Sequence, residues 1–296
     1  MKKRSLFLLS LTAVIWGFSF TAQRLGADHV GVFTFDAVRF LLAGLALLPF
    51  CFLLEKKTPD KGMKATLLAG CAAGAILTAA QALQQYGILL TQSAGKAGFI
   101  TGLYILFVPL IGLLLKRKLT PMLWIASPLA LVGLFLLTWS GESGIGPGDG
   151  VLLLGAVLWA MHILLIDSAG EKIYPLRFSL IQFFVSALLN FLILPFFESP
   201  SLPELGAAAI PLLYSGILSS GVGFTLQAVG QKGADPAVAS LILSFEAVFS
   251  AVGGALILGE TMTPLQLLGC ALMFGAILLC QIGPLPFLRR RKRRDS

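Results

Sequence analysis

Apolar residues fill the chain in blocks of about twenty, divided by short polar joins. A helix of about that length crosses the hydrocarbon core of a bilayer and satisfies its backbone hydrogen bonds internally. The pattern therefore predicts an all-α membrane protein of ten transmembrane helices, with approximate cores at 5–23, 33–53, 65–88, 94–115, 121–139, 150–168, 176–197, 207–228, 236–258 and 263–283. The joins leave no room for a soluble domain. The first block follows Lys2, Lys3 and Arg4 and imitates a signal peptide, but Phe20-Thr21-Ala22 is a poor cleavage site. Its counterpart later in the chain argues for a retained span.

Composition agrees. Of the 296 residues, 57% are hydrophobic and 12% charged, and mean hydropathy is +0.89. An ordinary soluble domain is about a quarter charged, so a soluble enzyme, a disordered chain and a secreted disulfide scaffold are excluded. Cys51, Cys71, Cys270 and Cys280 stand in apolar stretches without metal-ligand or redox spacing, and read as small buried hydrophobes. The net charge of +8 does not imply nucleic acid, because the cations occupy joins and a tail. With the N-terminus inside, all but three of the 22 Lys and Arg fall on the inner side, including the run Arg289 to Arg294. Arg24 and Lys96 are left outside, and Arg39 lies within span two. This bias predicts that both termini are cytoplasmic.

The chain also repeats itself. A shift of 143 residues aligns Ala13-Val14 and Trp16 with Ala156-Val157 and Trp159, Phe40 with Phe183, Leu83-Gln84 with Leu226-Gln227, Gly87 with Gly230, and Thr120-Pro121 with Thr263-Pro264. Each copy holds five spans, an odd number, so the copies enter the membrane from opposite sides. The expected organisation is a first five-helix repeat at 1–139, a linker at 140–149, a second repeat at 150–284 and a basic cytoplasmic tail at 285–296. Inverted repeats suit a secondary transporter, because exchanging the conformations of the halves turns an inward-facing cavity outward.

Ser244-Phe245-Glu246-Ala247-Val248-Phe249, followed by Leu258-Gly259-Glu260-Thr261-Met262-Thr263-Pro264, resembles the end of EamA-like members of the drug/metabolite transporter superfamily. Arg39-Phe40 in span two is similar to the family as well. Ala247 stands where a Pro often follows the Glu, and the first half carries Leu103-Tyr104 in place of a matching Glu. The resemblance implies an integral, ten-helix carrier of the inner membrane, commonly an exporter of amino acids, metabolites or drugs.

Glu246, near the middle of span nine, is the leading candidate for transport chemistry, since a carboxylate at that depth is costly unless it faces protein or water. It either exchanges a proton for a cationic group of the solute or serves as a structural hydrogen-bonding group. Asp36 and Arg39, three apart, share a helix face and form an expected ion pair or outer gate ahead of direct solute binding. Gln81, Gln84 and Gln227 read as cavity lining or as helix-helix glue. Trp16, Trp159 and Tyr104 lie near span centres, away from the interfacial belts, and offer either pocket walls or core packing. His162 completes the set, as a packing residue or a titratable group in the pathway. Small residues such as Gly70 and Gly74, or Gly98 and Gly102, mark close-packing seams. No metal ligand set, cofactor motif or catalytic constellation is present, so the expected partners are a small organic solute, coupled protons and the lipid bilayer. The alternatives are a multidrug or other metabolite carrier and, more remotely, a membrane-embedded enzyme or a non-transporting structural protein.

Overall fold

The protein is described by a computed structural model over residues 3–55, 62–117, 122–138 and 146–282. All regular structure among these residues is helical. In chain order the helices are α1 (Lys3–Gly26), α2 (Val32–Leu54), α3 (Met63–Thr91), α4 (Ala94–Gly102), α5 (Tyr104–Leu114), α6 (Leu123–Thr138), α7 (Pro147–Ala169), α8 (Pro175–Ile193), α9 (Leu202–Ala207), α10 (Ala209–Leu213), α11 (Thr225–Gly230), α12 (Pro236–Leu243), α13 (Glu246–Ile257) and α14 (Pro264–Ile282). Eight stretches are long and apolar enough to cross a membrane, and two shorter apolar helices, Leu123–Leu136 and Pro264–Leu279, accompany them. The tail, the join at 56–61 and most of the expected linker lie outside the described residues. The last three linker positions, Pro147 to Asp149, already belong to α7.

Two of the expected spans are not continuous helices. The fourth divides into α4 and α5 at Leu103, and the ninth into α12 and α13 at Ser244-Phe245. At each break the backbone bond tightens to three residues: the Leu103 N–H donates to Ile100 O and the Phe245 N–H to Ile242 O, both at 3.2 Å. No Pro or Gly marks residue 103, 244 or 245, so hydropathy alone passes over both breaks. The eighth span loosens instead, running as a π-helix from Tyr214 to Phe224 between α10 and α11.

Polarity is distributed for lipid. Phe52, Leu114 and Ile210 stand largely exposed on the outside, whereas Gln23, Gln81, Gln84, Gln85, Gln182 and Gln227 are buried. A bilayer reverses the usual penalty, because apolar surface is at home there and polar groups must find partners inside. Cys51 is buried as expected, but Cys71 is exposed on the lipid-facing side of α3 and Cys270 is half-buried, which corrects the reading of the cysteines as core residues. The side chain of Cys280 is outside the described set.

The register of 143 residues reappears as packing. Phe40 stacks on Phe183 with ring centroids 6.2 Å apart, and Trp16 lies 6.3 Å from Trp159, so residues matched in sequence meet each other. Helix α2 packs along α8 and α6 along α14. Gly87 admits Leu152 and Gly230 admits Leu9, where a Cβ would come within 2.4 and 3.2 Å of the leucine side chains. The seam at Gly70 and Gly74 seats Ile181 and Val185 of α8.

The N-terminus of α2 and that of α8 are each fastened by a carboxylate. Glu198 accepts the N–H groups of Phe33 and Thr34, each at 2.8 Å, and the Thr34 hydroxyl at 2.6 Å. Glu55, its match in the register, accepts the N–H groups of Leu176 and Arg177 at 3.0 Å. The first backbone N–H groups of a helix lack internal acceptors and carry partial positive charge, so a carboxylate there is stabilising. Contacts also sort the joins into two ends. Gly62 bonds Lys172, Arg117 bonds Asp167 and Glu55 bonds Arg177 at one end, whereas Arg24 bonds Gln92 and Lys96 pairs with Asp149 at the other.

Candidate functional site

Between the helices lies a narrow cavity. Trp16, Ser19, Phe20 and Gln23 of α1 line it together with Arg39, Gln81, Gln84, Thr101, Tyr104, Trp159, Ile163, Ser219, Phe224, Gln227 and Glu246. The helix breaks explain part of this convergence. Tyr104 opens α5 and Glu246 opens α13, so each stands at a helix N-terminus inside the protein, and the two side chains are neighbours at the cavity wall. The wide turns of the π-helical stretch bring Ser219 and Phe224 to the opposite wall.

Two charges of opposite sign face the same small space. Arg39 is buried with 1% of its surface exposed, and Glu246 with 3%. They are not paired with each other. The Arg39 guanidinium lies 3.6 Å from Asp36, donates from Nε to Ser220 Oγ at 3.2 Å and from Nη2 to Ser219 Oγ at 3.4 Å, and rests over the Phe40 ring at 5.2 Å. The Gln81 amide faces both Arg39 amino groups, which require its oxygen on that side as their acceptor. Glu246 has no ion-pair partner among the described residues, and its one polar neighbour of note is the Tyr104 hydroxyl.

The remaining polar groups form a relay. Trp159 Nε1 donates to Gln84 Oε1 at 2.9 Å, and Gln84 Nε2 donates to Gln23 Oε1 at 3.0 Å. Trp16 Nε1 donates to the Ser219 carbonyl at 3.0 Å. Gln227 is fully buried at the cavity wall, and both of its amide atoms lack hydrogen-bond partners among the described residues. Trp16, Trp159 and Phe224 pack on one another with centroids 4.7 to 6.3 Å apart, forming one aromatic wall.

Of the residues singled out from sequence, Glu246, Trp16, Trp159, Gln81, Gln84, Tyr104, Gln227 and Arg39 meet at this cavity. Asp36 does not line it and stands behind Arg39. His162 also lies outside the lining: its Nε2 bonds Gln182 Oε1 at 2.9 Å, and its ring packs edge-on to Trp159 and Phe224. Sequence reasoning passed over Gln23, Thr101, Ser219 and Phe224. Gln23 is four residues before Ala27 in the last turns of α1, where position argues for an interface, and only the pairing with Gln84 draws it into the site. No group of His, Cys, Asp and Glu suited to a metal ion occurs among the described residues.

A family description now matches the arrangement twice: the EamA-like transporter family model covers residues 3–139 and again 146–281. The chain belongs to the EamA-like transporter family. Its relatives include an uncharacterized transporter of Archaeoglobus fulgidus, 29% identical over 93% of this chain and 84% of its own length. A second from the same organism is 30% identical over 91% of this chain and 93% of its own. The uncharacterized transporter YwfM of Bacillus subtilis is 29% identical over 95% of this chain and 94% of its own. A solved crystal structure superposes with a TM-score of 0.77 across 98% of this chain and 99% of that one at 18% identity, which shows a shared fold. The chain is thus a multi-pass membrane transporter of the EamA-like family.

Proposed function

We propose that this EamA-like transporter exports amino acids or related small zwitterionic metabolites by alternating access of two inverted five-helix repeats, ten spans in all. The single observation that carries the reading is the presence of a buried guanidinium and a buried carboxylate, unpaired with each other, in one cavity walled by aromatic rings. Arg39 offers a planar fork that matches a solute carboxylate, and Glu246 offers the matching site for an ammonium group. A cationic drug alone would leave Arg39 facing a like charge. Glu246 is also the group on which a proton and the solute's amine compete, which would couple export to proton entry. No step of this cycle makes or breaks a covalent bond in the solute.

The duplication supports the mechanism, because matched residues meet at Phe40–Phe183 and Trp16–Trp159, and the family description fits each half. The distribution of cations supports an inner-membrane protein with cytoplasmic termini. Lys64, Lys116, Arg117, Lys172, Arg177 and Lys232 gather at one end against Arg24 and Lys96 at the other.

Proteoliposomes loaded with individual amino acids test the reading. Efflux by the parent protein should rise with an inward proton gradient, and Glu246→Gln should abolish that dependence. Unchanged pH dependence with unchanged solute affinity in Glu246→Gln would remove the residue from the site.

A further inference from the structure

The two ends of the helices carry a second set of charges whose positions obey the register of 143 residues with the signs reversed. At one end Arg117, just past α5, bonds Asp167 in the last turn of α7, and its Nη2 donates to Ser168 Oγ at 2.8 Å. The matched positions at the other end are Glu260, just past α13, and Arg24 in the last turn of α1. An Arg and an Asp are thus replaced by a Glu and an Arg.

Backbone geometry shows that the match is structural. The Leu115 N–H bonds Ile111 O and the Leu258 N–H bonds Gly254 O, both at 2.9 Å and both at the end of their helices. The next residue is left-handed in each case, Lys116 at φ 57° and Gly259 at φ 71°. A non-glycine residue rarely adopts that conformation without a reason, and here it turns the chain off the end of α5 as Gly259 does at the end of α13.

The two pairs are in different states. Arg117 and Asp167 are joined. Arg24 is turned aside to Asp28 at 2.6 Å and to the Gln92 carbonyl at 3.3 Å. Glu260 flanks the same turn, its Oε2 3.8 Å from where a Gly95 Cβ would stand. Arg24 is the charge that acts most strongly on Glu260, holding down a carboxyl that burial pushes up.

We propose that Arg117–Asp167 and Glu260–Arg24 are two gate locks of opposite polarity, one at each end of the transport cavity, and that closing either one opens the other. This rests on the alternating-access reading above. Each lock ties a helix of one half to a helix of the other, and those four helices carry the cavity residues: Tyr104 on α5, Trp159 on α7, Trp16 on α1 and Glu246 on α13. A carrier needs two arrangements of similar free energy, and one ion pair at each end supplies similar stabilisation to both. Arg117 and Asp167 also line a second, more polar and more open cavity that reaches Asp235, the match of Gln92. The closed lock therefore stands at the wall of a vestibule.

The test uses the full chain with its four cysteines replaced by serine, reconstituted in liposomes. The double variant R24C/E260C reports closure of the Arg24 end through its rate of disulfide formation. Adding Asp167→Asn should raise that rate about two- to fivefold, the range a partly exposed ion pair supports. The reversed pair R117D/D167R should restore the slower rate, and Arg117→Gln serves where Asp167→Asn fails to fold. Equal rates with and without the Arg117–Asp167 bond would overturn the proposal. Simultaneous cross-links at 24/260 and 117/167 in one molecule would do the same. Coupled rates without flux of any amino acid would leave the locks standing and remove the cargo reading, whereas amino-acid flux with uncoupled rates would remove the locks alone.

Discussion

At the scale of single residues, two glutamines separate structural from solute-binding roles. Gln84 bridges Trp159 and Gln23, so Gln84→Leu leaves a buried indole N–H and a buried amide oxygen unpaired. The expected cost is about 1–3 kcal/mol, read as a fall in the thermal transition in detergent. Gln227 is as deeply buried but bonds nothing among the described residues, so Gln227→Leu should leave stability unchanged or raised while weakening solute binding. Loss of stability in Gln227→Leu comparable to Gln84→Leu would show that the amide is structural. The sequence placed Gln81, Gln84 and Gln227 in the membrane but not their partners. Polar character is written in a residue, whereas satisfaction of its hydrogen bonds depends on a neighbour far along the chain.

At the scale of elements, helix ends carry the testable energetics. Glu198→Gln and Glu55→Gln each exchange an ionised acceptor at a helix N-terminus for a neutral one, and each should destabilise the protein by about 1 kcal/mol. Similar losses are expected because each carboxylate accepts two backbone N–H groups and makes one further polar contact, Glu198 with the Thr34 hydroxyl and Glu55 with the Arg177 guanidinium. Unequal losses measured by thermal unfolding would show that the two ends are not equivalent. Glu260, in the join between α13 and α14, behaves in the opposite sense. Burial raises its carboxyl above the ordinary value of 4.5, with Arg24 opposing, so the folded state holds a proton more tightly than the unfolded chain. Its stabilising contribution is present at acid pH and is lost as pH rises through the folded value. Glu260→Gln should therefore match the parent near pH 4 and exceed it in thermal stability at neutral pH. The helix breaks at Leu103 and Ser244-Phe245 belong to this scale too, and the apolar pattern missed them. A shift from four-residue to three-residue bonding leaves hydrophobicity untouched.

At the scale of the whole molecule, alternation of the joins between two ends is the feature to measure. Single cysteines introduced at the exposed positions Gln92 and Glu171, in a cysteine-free background, should label oppositely with a membrane-impermeant thiol reagent on intact cells. Position 92 is expected to react directly and position 171 only after permeabilisation. Labelling of both from outside would contradict the proposed threading. The contacts Lys96–Asp149 and Gly62–Lys172 set these two positions at opposite ends of the helices.

The sequence by itself determined that the chain is helical and membrane-embedded, that it resembles EamA-like carriers, and that one half echoes the other. These follow from hydropathy, helical length and residue identity, which are properties of neighbours along the chain. Only the tertiary structure decided that Arg39 faces the cavity shared with Glu246 while Asp36 and His162 stand behind it. Depth in a membrane follows from counting residues along a helix, but the direction a side chain faces depends on which helices pack around it. The reversed pairs of Arg117 with Asp167 and Glu260 with Arg24 were hidden for a related reason: matching like residues across the repeat cannot find positions whose charges have traded sign, and only their place in space reveals them.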